Sequence, residues 1–417
     1  MFYKLLEPNM HMVMTNQATG SITQEMWDLS AKAREEGARY EKKRFLYPQI
    51  AKFSRERAYV ALVGPRGVGK SVLLRQLHAS SPNSFYLSLD SQRPQSIYAI
   101  AKELEGRKIP LLLLDEIHAF PNYGQELKKI YDFLIDTHII FTSSSAISLH
   151  DATYDLSRRV RLLPVHPFSF REFLYFERSL EIPPMDWKGM LDLQYCRTYS
   201  GRLGDSEGLF EAYLTGRNYP FTIGQSNYLS LFSPMLQTIF DKDLILPSRL
   251  TLAESYEVRN MLTFIGRSPA EDISYSSIAR NLSIIKSKAQ RYVELLEKAY
   301  LLKVILPKGT NLSKEPKILL APPFRLLYKP YEDCIGALRE DFFVDAACRL
   351  ETELDYLKGI RGEKTPDYLL NGVVCEIGGI SKSRRQFKGF AAKRKLIFTQ
   401  PGLLDEVRRP LFFAGMF

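Results

Sequence analysis

Gly64-Pro65-Arg66-Gly67-Val68-Gly69-Lys70-Ser71 is the stretch that decides the fold, and Tyr59 to Val63 runs into it as five apolar or aromatic residues. The spacing is G-x-x-x-x-G-K-[ST] between a buried-strand signal and a plausible helix, Val72 to His78. Glycines at 64, 67 and 69 let successive backbone N–H groups turn inward on a phosphate. Lys70 supplies a point charge for the β- and γ-phosphates, and Ser71 is a ligand for Mg²⁺. The helix N-terminus, entered through Val72, adds the positive end of its dipole. The bland alternative is a glycine-rich turn that ends in Lys-Ser. The flanking strand and helix favour a site for a nucleoside triphosphate.

A second signal points the same way. Ile109 to Leu114 is apolar and ends in Asp115-Glu116. Ligands of open α/β sheets lie at the carboxyl ends of the strands, so this acid pair is expected to meet the phosphate loop. Asp115 is expected to hold Mg²⁺, directly or through water, and Glu116 to orient or deprotonate the attacking water. The competing reading is an acid pair that caps the next helix.

A length of 417 residues suggests two or three domains. The apolar and charged fractions are those of a soluble globular protein, and no run approaches the roughly 20 apolar residues of a membrane helix. The N-terminus lacks the pattern of a signal peptide. Cys196, Cys334, Cys348 and Cys375 are scattered without C-x-x-C spacing, as expected of reduced thiols in a cytoplasmic protein. A net charge of +10 suits a polyanion partner without specifying one.

Along the chain, residues 1–45 read as a helical segment without chemistry, with Gln24 to Glu41 as its helix. Residues 46–170 alternate strands (59–63, 84–90, 109–115, 138–142) with helices, which predicts a mainly parallel sheet covered on both faces. Ser144 follows the fourth strand, either to sense the γ-phosphate or as part of a serine-rich turn. Arg158 and Arg159 come next, either to neutralise transition-state charge or as a solvated helix end. Residues 171–250 are helical and aromatic, a lid or connector. Residues 251–320 give helix, short strand at Ile273, helix, helix and strand, the order of a winged helix-turn-helix. Lys286, Lys288 and Arg291 would face DNA there, although Glu294 and Glu297 suit a protein contact equally.

Residues 321–417 change character. A helix around Glu340, a strand entered at Asp367, an Asn371-Gly372 hairpin turn and a strand holding Glu376 assemble three carboxylates, a candidate second and weaker Mg²⁺ site. Gly378 stands where such a phosphodiester-cleaving site uses a lysine, with Lys382 as the nearest substitute. The basic run Lys382 to Lys395 is either a nucleic-acid backbone contact or a solvated face.

These segments resemble prokaryotic AAA+-like ATPases with a winged-helix middle domain and a C-terminal PD-(D/E)xK nuclease-like domain. The resemblance is carried by residues 64–71, 111–118, 141–146, 156–159, 167–173 and 292–302 and spans nearly all of the chain after residue 40. It implies ATP, Mg²⁺, phosphate and metal roles for Lys70 and Ser71, strand-end acid roles for Asp115 and Glu116, a sensor role for Ser144, and an arginine role for Arg159. Arg158 and Ser143 depart from the family pattern, where glycines are usual. Glu340, Asp367 and Glu376 match the nuclease acids, but Gly378 replaces the lysine, so the C-terminal domain is expected to be degenerate. The sequence thus predicts an ATPase coupled to two accessory domains. The rivals are an ATP-regulated DNA-binding effector and a nucleotide-binding interaction protein with little turnover.

Overall fold

The computed structural model describes residues 21–56, 59–144, 159–204, 206–309, 315–350, 352–357, 365–387 and 392–417. Its first sheet is built from β1 (Tyr59–Val63), β2 (Ser84–Ser88), β3 (Leu111–Asp115), β4 (His138–Ser143) and β5 (Val160–Pro164), all parallel, in the order β2-β3-β4-β1-β5. Because side chains alternate along a strand, Val60 and Leu62 enter one core while Tyr59, Ala61 and Val63 enter the other. Both faces of the sheet are therefore covered, and central strands must be apolar throughout, as all five residues of β1 are. This is the sheet of a P-loop NTPase. Leu62 lies opposite Thr142 and Val63 opposite Ser143, so the end of β4 is level with the start of the phosphate loop.

Residues 21–45 of the N-terminal segment pack on the sheet domain. Helix Gln24–Arg39 is capped by Thr23 and packs its buried Met26, Ser30 and Ala33 into the sheet domain. Arg34 donates to the carbonyls of His78 at 2.6 Å and Ser81 at 3.0 Å, which ties this helix to the end of the one that follows the phosphate loop.

The expected lid divides in two. Helix Phe170–Arg178 and the helices up to Ala212 bury Phe170, Phe173, Phe210 and Tyr213 against Phe342 and Phe412 of the C-terminal domain. Helix Phe232–Thr238 and the π-helical turn Ile239–Ile245 instead pack with Leu62 and Leu74 in the core of the sheet domain. The division falls at Gly216, whose φ of 128° bends the chain and whose hydrogen sits where a Cβ would strike the Phe232 ring at 2.9 Å.

Helices Leu252–Arg267, Tyr275–Leu282 and Lys286–Lys298 follow, then an antiparallel pair of β6 (Leu302–Ile305) and β7 (Lys317–Leu320). The short strand expected at Ile273 does not form. Ile273 lies between a 3₁₀ turn, Ala270–Asp272, and the Ser274 cap of the next helix, and its side chain is buried without a strand partner.

The C-terminal domain lays helix Tyr331–Cys348 across a mixed sheet of β8 (Leu354–Tyr356), β9 (Tyr368–Leu370), β10 (Val373–Gly378), β11 (Lys395–Thr399) and β12 (Arg408–Pro410), in spatial order β12-β11-β10-β9-β8. Asn371 and Gly372 turn the β9–β10 hairpin with φ of 47° and 77°, left-handed at both central positions as a two-residue hairpin requires. Among the described residues no helix is long and apolar enough to cross a membrane, and all four cysteines are free.

Candidate nucleotide site and the C-terminal carboxylates

Gly67 and Gly69 adopt φ of 79° and 87°, conformations that glycine reaches without strain, and Gly69 ends at the start of helix Lys70–Ser80. The loop therefore delivers Lys70 and Ser71 to the first turn of that helix. Lys70 Nζ donates to the carbonyls of Gly64 at 2.7 Å and Pro65 at 2.8 Å. Burial lowers its pKa to about 8, against the opposing pull of Glu116. A buried cation whose hydrogen bonds go to carbonyl dipoles is incompletely compensated, and a phosphate would compensate it better.

Asp115 closes β3 beside it. One carboxylate oxygen accepts from Ser71 Oγ at 3.1 Å and from Thr142 Oγ1 at 2.6 Å, and the other accepts from Tyr86 at 2.6 Å. Burial, followed by the neighbouring Asp115 charge, raises the Tyr86 hydroxyl above its usual range, so it stays a proton donor. The Ser71 hydroxyl and the Asp115 carboxylate thus converge as hard oxygen donors, with no cation among the described residues bonded to that carboxylate. This donor set fits Mg²⁺.

Glu116 has a left-handed backbone, φ 51° and ψ 54°, which is uncommon for a residue with a side chain. Its N–H donates to Thr142 Oγ1 at 2.8 Å, so Thr142 fixes both acids at once. Glu116 lines the pocket, and its Oε2 is buried without a hydrogen bond; His118 Nδ1 stands 3.3 Å away, within ion-pair reach. A carboxylate oxygen that lines the pocket with no hydrogen bond among the described residues is placed to receive a proton from a water there.

The pocket, about 520 Å³, extends from Arg66, Gly67, Gly69, Lys70, Ser71 and Val72 past Glu116 to Tyr40, Phe168 and Phe176. Its outer wall comes from the N-terminal segment, where the sequence showed no chemistry. Gln76 donates to the carbonyls of Tyr40 at 2.8 Å and Lys42 at 2.9 Å. Arg44 pairs with buried Glu172 and donates to the carbonyls of Val68 at 2.9 Å and His166 at 2.8 Å. Nothing in the spacing of Tyr40, Arg44, Gln76 or Tyr86 announced these roles. A hydroxyl at Thr142 was legible as part of the cluster after β4, although its work is done on the acids.

Ser144 is near the loop but engaged: its Oγ donates to Asp243 Oδ1 at 3.0 Å, and the same carboxylate holds Arg66 at 2.5 and 2.7 Å. Arg159 is not brought to the pocket of its own chain. Val160 pairs with Tyr59 at the start of β1, whereas the loop leaves its end, four residue steps or about 13 Å along the strand. Arg159 there bonds Asp132 at 3.1 Å and lies over the Tyr131 ring. Arg158 lies outside the described residues.

The basic side chains expected to face nucleic acid are occupied. Lys286 pairs with Glu315 at 2.5 Å, Lys288 with Glu257 at 2.6 Å and Arg291 with Glu254 at 3.1 Å, so acids of the same unit neutralise all three. In the basic run, Lys382 pairs with Glu376 and Arg384 with Glu406, while Lys393 and Arg394 are exposed; Lys388 lies outside the described residues.

The C-terminal acids share one region without forming the expected metal site. Asp367 precedes β9 and accepts from the Ile377 N–H at 2.8 Å; Glu340 bonds Lys317 at 2.9 Å; Glu376 bonds Lys382. Among the described residues no group of three His, Cys, Asp or Glu side chains is arranged to hold a metal ion. Two of the three carboxylates are turned onto lysines, and burial, with Glu340 and Glu376 nearby, raises the pKa of the third. At Gly378 a Cβ would lie 2.7 Å from Lys382 Cε, so the Lys382 stem fills the space a side chain at that position would take.

Residues 56–174 match a family model described as an AAA domain. An uncharacterized protein of Methanocaldococcus jannaschii, MJ1637, is 28% identical over 397 residues, a match that covers 83% of this chain and 82% of the relative. Among solved structures, the Walker-type ATPase of Pyrococcus abyssi is 16% identical at a TM-score of 0.39, covering 69% of this chain and 95% of its own. The Aeropyrum pernix Orc1 protein, solved in complex with DNA, is 15% identical at a TM-score of 0.28, covering 77% and 93%. The loop, the strand-end acids and the sheet order are those of a P-loop NTPase, and residues 56–174, which hold them, are the part of the chain that is similar to an AAA domain.

Proposed function

We propose that the chain is a Mg²⁺-dependent ATP hydrolase whose nucleotide state is passed to a winged-helix unit, residues 251–320, and to a degenerate nuclease-like domain, residues 321–417. The observation that carries this reading is the juxtaposition of Ser71 with Asp115 at 3.1 Å, beside a Glu116 whose buried oxygen has no hydrogen bond. A protein that only bound nucleotide would not need such a base. In turnover, Lys70 exchanges the Gly64 and Pro65 carbonyls for the β- and γ-phosphates, and the loop N–H groups and the helix dipole hold the same anion. Ser71 and Asp115 would hold Mg²⁺, which would supply positive charge to the phosphates when bound. Glu116 orients the water and takes its proton as the water oxygen bonds the γ-phosphorus and the bond to the bridging oxygen breaks, with ADP as the leaving group. Thr142 keeps Asp115 and Glu116 in register, and Tyr86 holds the second Asp115 oxygen by a hydrogen bond.

The test is ATP turnover of the wild type, Lys70→Ala and Glu116→Gln, with and without duplex DNA. Lys70→Ala should lose most nucleotide affinity. Glu116→Gln should bind normally and turn over slower by roughly 10² or more, the scale of a positioned base. Wild-type turnover by Glu116→Gln removes Glu116 from its role.

One observation favours a second reading, that of a DNA-cleaving effector. Lys382 occupies the space beside Gly378 and reaches Glu376, which is where a lysine would serve the C-terminal acids. Following the same DNA for Mg²⁺- or Mn²⁺-dependent cleavage decides it. Cleavage abolished by Asp367→Ala and weakened by Lys382→Ala supports this reading, and intact DNA leaves the domain a non-catalytic fold.

A further inference from the structure

Asp243 is an acid that the connector inserts beside the phosphate loop, and no sequence pattern marked it. It is 1% exposed and sits on the π-helical turn Ile239–Ile245, between Phe240 and Leu244, which are buried in the core of the sheet domain. Widened turns of this kind re-aim a side chain at the expense of regular helical bonding, and they concentrate at functional positions. Here the side chain is aimed at two groups that flank the candidate γ-phosphate position. Its carboxylate takes both nitrogens of a forked contact from Arg66, at 2.5 and 2.7 Å, and the Ser144 hydroxyl at 3.0 Å. The first is the third residue of the loop, and the second follows the strand beside it.

We propose that Asp243 is a latch that stands in for the γ-phosphate: it occupies Arg66 and Ser144 until ATP displaces it, and its displacement moves the connector. Asp243 is a positioning residue, since it acts through Arg66 and Ser144. The argument is electrostatic. A triphosphate seated on Lys70 brings its outermost charge toward a buried carboxylate, and like charges at that range in a protein interior repel strongly. The nucleotide then either tolerates that repulsion or takes over the arginine fork and the hydroxyl. A diphosphate makes no such demand, so the latch discriminates ATP from ADP.

The same segment is placed to transmit the movement. Pro220 and Phe221 roof the loop: a Cβ at Gly69 would contact Pro220 at 3.8 Å, and one at Gly67 would strike the Phe221 ring at 2.6 Å. Two residues before the latch, Asp241 bonds Arg259 of helix Leu252–Arg267 at 3.1 Å, and that guanidinium lies over the Phe240 ring. The turn that holds Asp243 is thus fastened to the three-helix unit on its other side. A turn released from Arg66 would pull on that helix, which gives the proposed coupling a physical route.

This inference rests on the nucleotide-binding reading, and its test separates the two. Affinities of wild type, Asp243→Asn and Asp243→Glu are measured for β,γ-methylene-ATP and for ADP in Mg²⁺, with amide hydrogen exchange followed over residues 232–248. Asp243→Asn should tighten the triphosphate analogue about tenfold, the order expected from removing one like charge at close range, and change ADP by less than about twofold. Asp243→Glu should restore the wild-type ratio. In the wild type the analogue, and not ADP, should raise exchange across the turn. If Asp243→Asn does not fold, the wild-type exchange comparison decides, because no rise across residues 232–248 with the analogue overturns the latch. An unchanged ratio in a variant that binds both nucleotides overturns the latch alone. A wild type that binds neither nucleotide overturns the latch and the ATP-binding reading together.

Discussion

Lys70 gives the site a pH dependence whose sign can be worked out. Burial holds its pKa at about 8 before nucleotide arrives, and the phosphates that replace the Gly64 and Pro65 carbonyls favour the charged form. Below that pH the lysine is already protonated, so affinity should not vary on its account. Above it, binding must take up a proton, and the nucleotide dissociation constant should rise by up to about tenfold per pH unit until the pKa of the complex is reached. Titrations between pH 7 and 9.5 check this, with Lys70→Arg as the comparison, because arginine stays charged throughout and should bind with no such slope. Equal slopes in both proteins would assign the titration to another group.

At the scale of elements, the site depends on a glycine loop lying under another segment. Gly67 has φ of 79°, where a side chain costs about 1–2 kcal/mol, and its absent Cβ leaves room for the Phe221 ring. Gly67→Ala therefore meets two separate penalties, one in the backbone and one in packing. It should lower the melting temperature by several degrees and weaken nucleotide binding. Adding Phe221→Ala should relieve the clash and recover part of the binding, while the backbone cost remains. Thermal melts and nucleotide titrations of the single and double variants test the division. Full recovery would show that the loop's left-handed turn is not needed.

Across the whole molecule, the domains are joined by buried contacts rather than by a linker. Arg325, 1% exposed, bonds Asp341 of helix Tyr331–Cys348 at 2.6 Å and the carbonyls of Ile265 at 3.1 Å and Ser268 at 2.9 Å. A buried guanidinium shared in this way loses several interactions if either side moves. Arg159 belongs to this scale too. If Arg159 acts in catalysis, its place at the far end of the sheet from the loop requires that it enter a neighbouring copy, and turnover per chain should then rise with concentration. Mixing Arg159→Ala with Glu116→Gln should then restore activity at interfaces that keep both groups. Concentration-independent turnover with no recovery on mixing would leave Arg159 as the partner of Asp132.

The phosphate loop, the strand-end acids and the parallel sheet were legible in the sequence because each is a local pattern. Gly64 to Ser71 is contiguous, Asp115 and Glu116 end an apolar run, and Asn371-Gly372 marks its own hairpin. Helix Gln24–Arg39 was also legible, but its place in the sheet domain was not, because the packing partners of Met26 and Ala33 lie far along the chain. The same limit hid Tyr86 and Asp243, polar residues whose meaning comes from Asp115 and Arg66, 29 and 177 positions away. It also hid the ion pairs that occupy Lys286, Lys288 and Arg291, and the Lys382 stem that fills the space at Gly378. The sequence by itself determined the fold class and the phosphate-binding loop, since backbone conformation and strand burial are set by neighbouring residues. Which charges are free, which are paired and which domain a helix serves were decided only by tertiary structure, because electrostatic partners and packing surfaces come from segments that meet only when the chain folds.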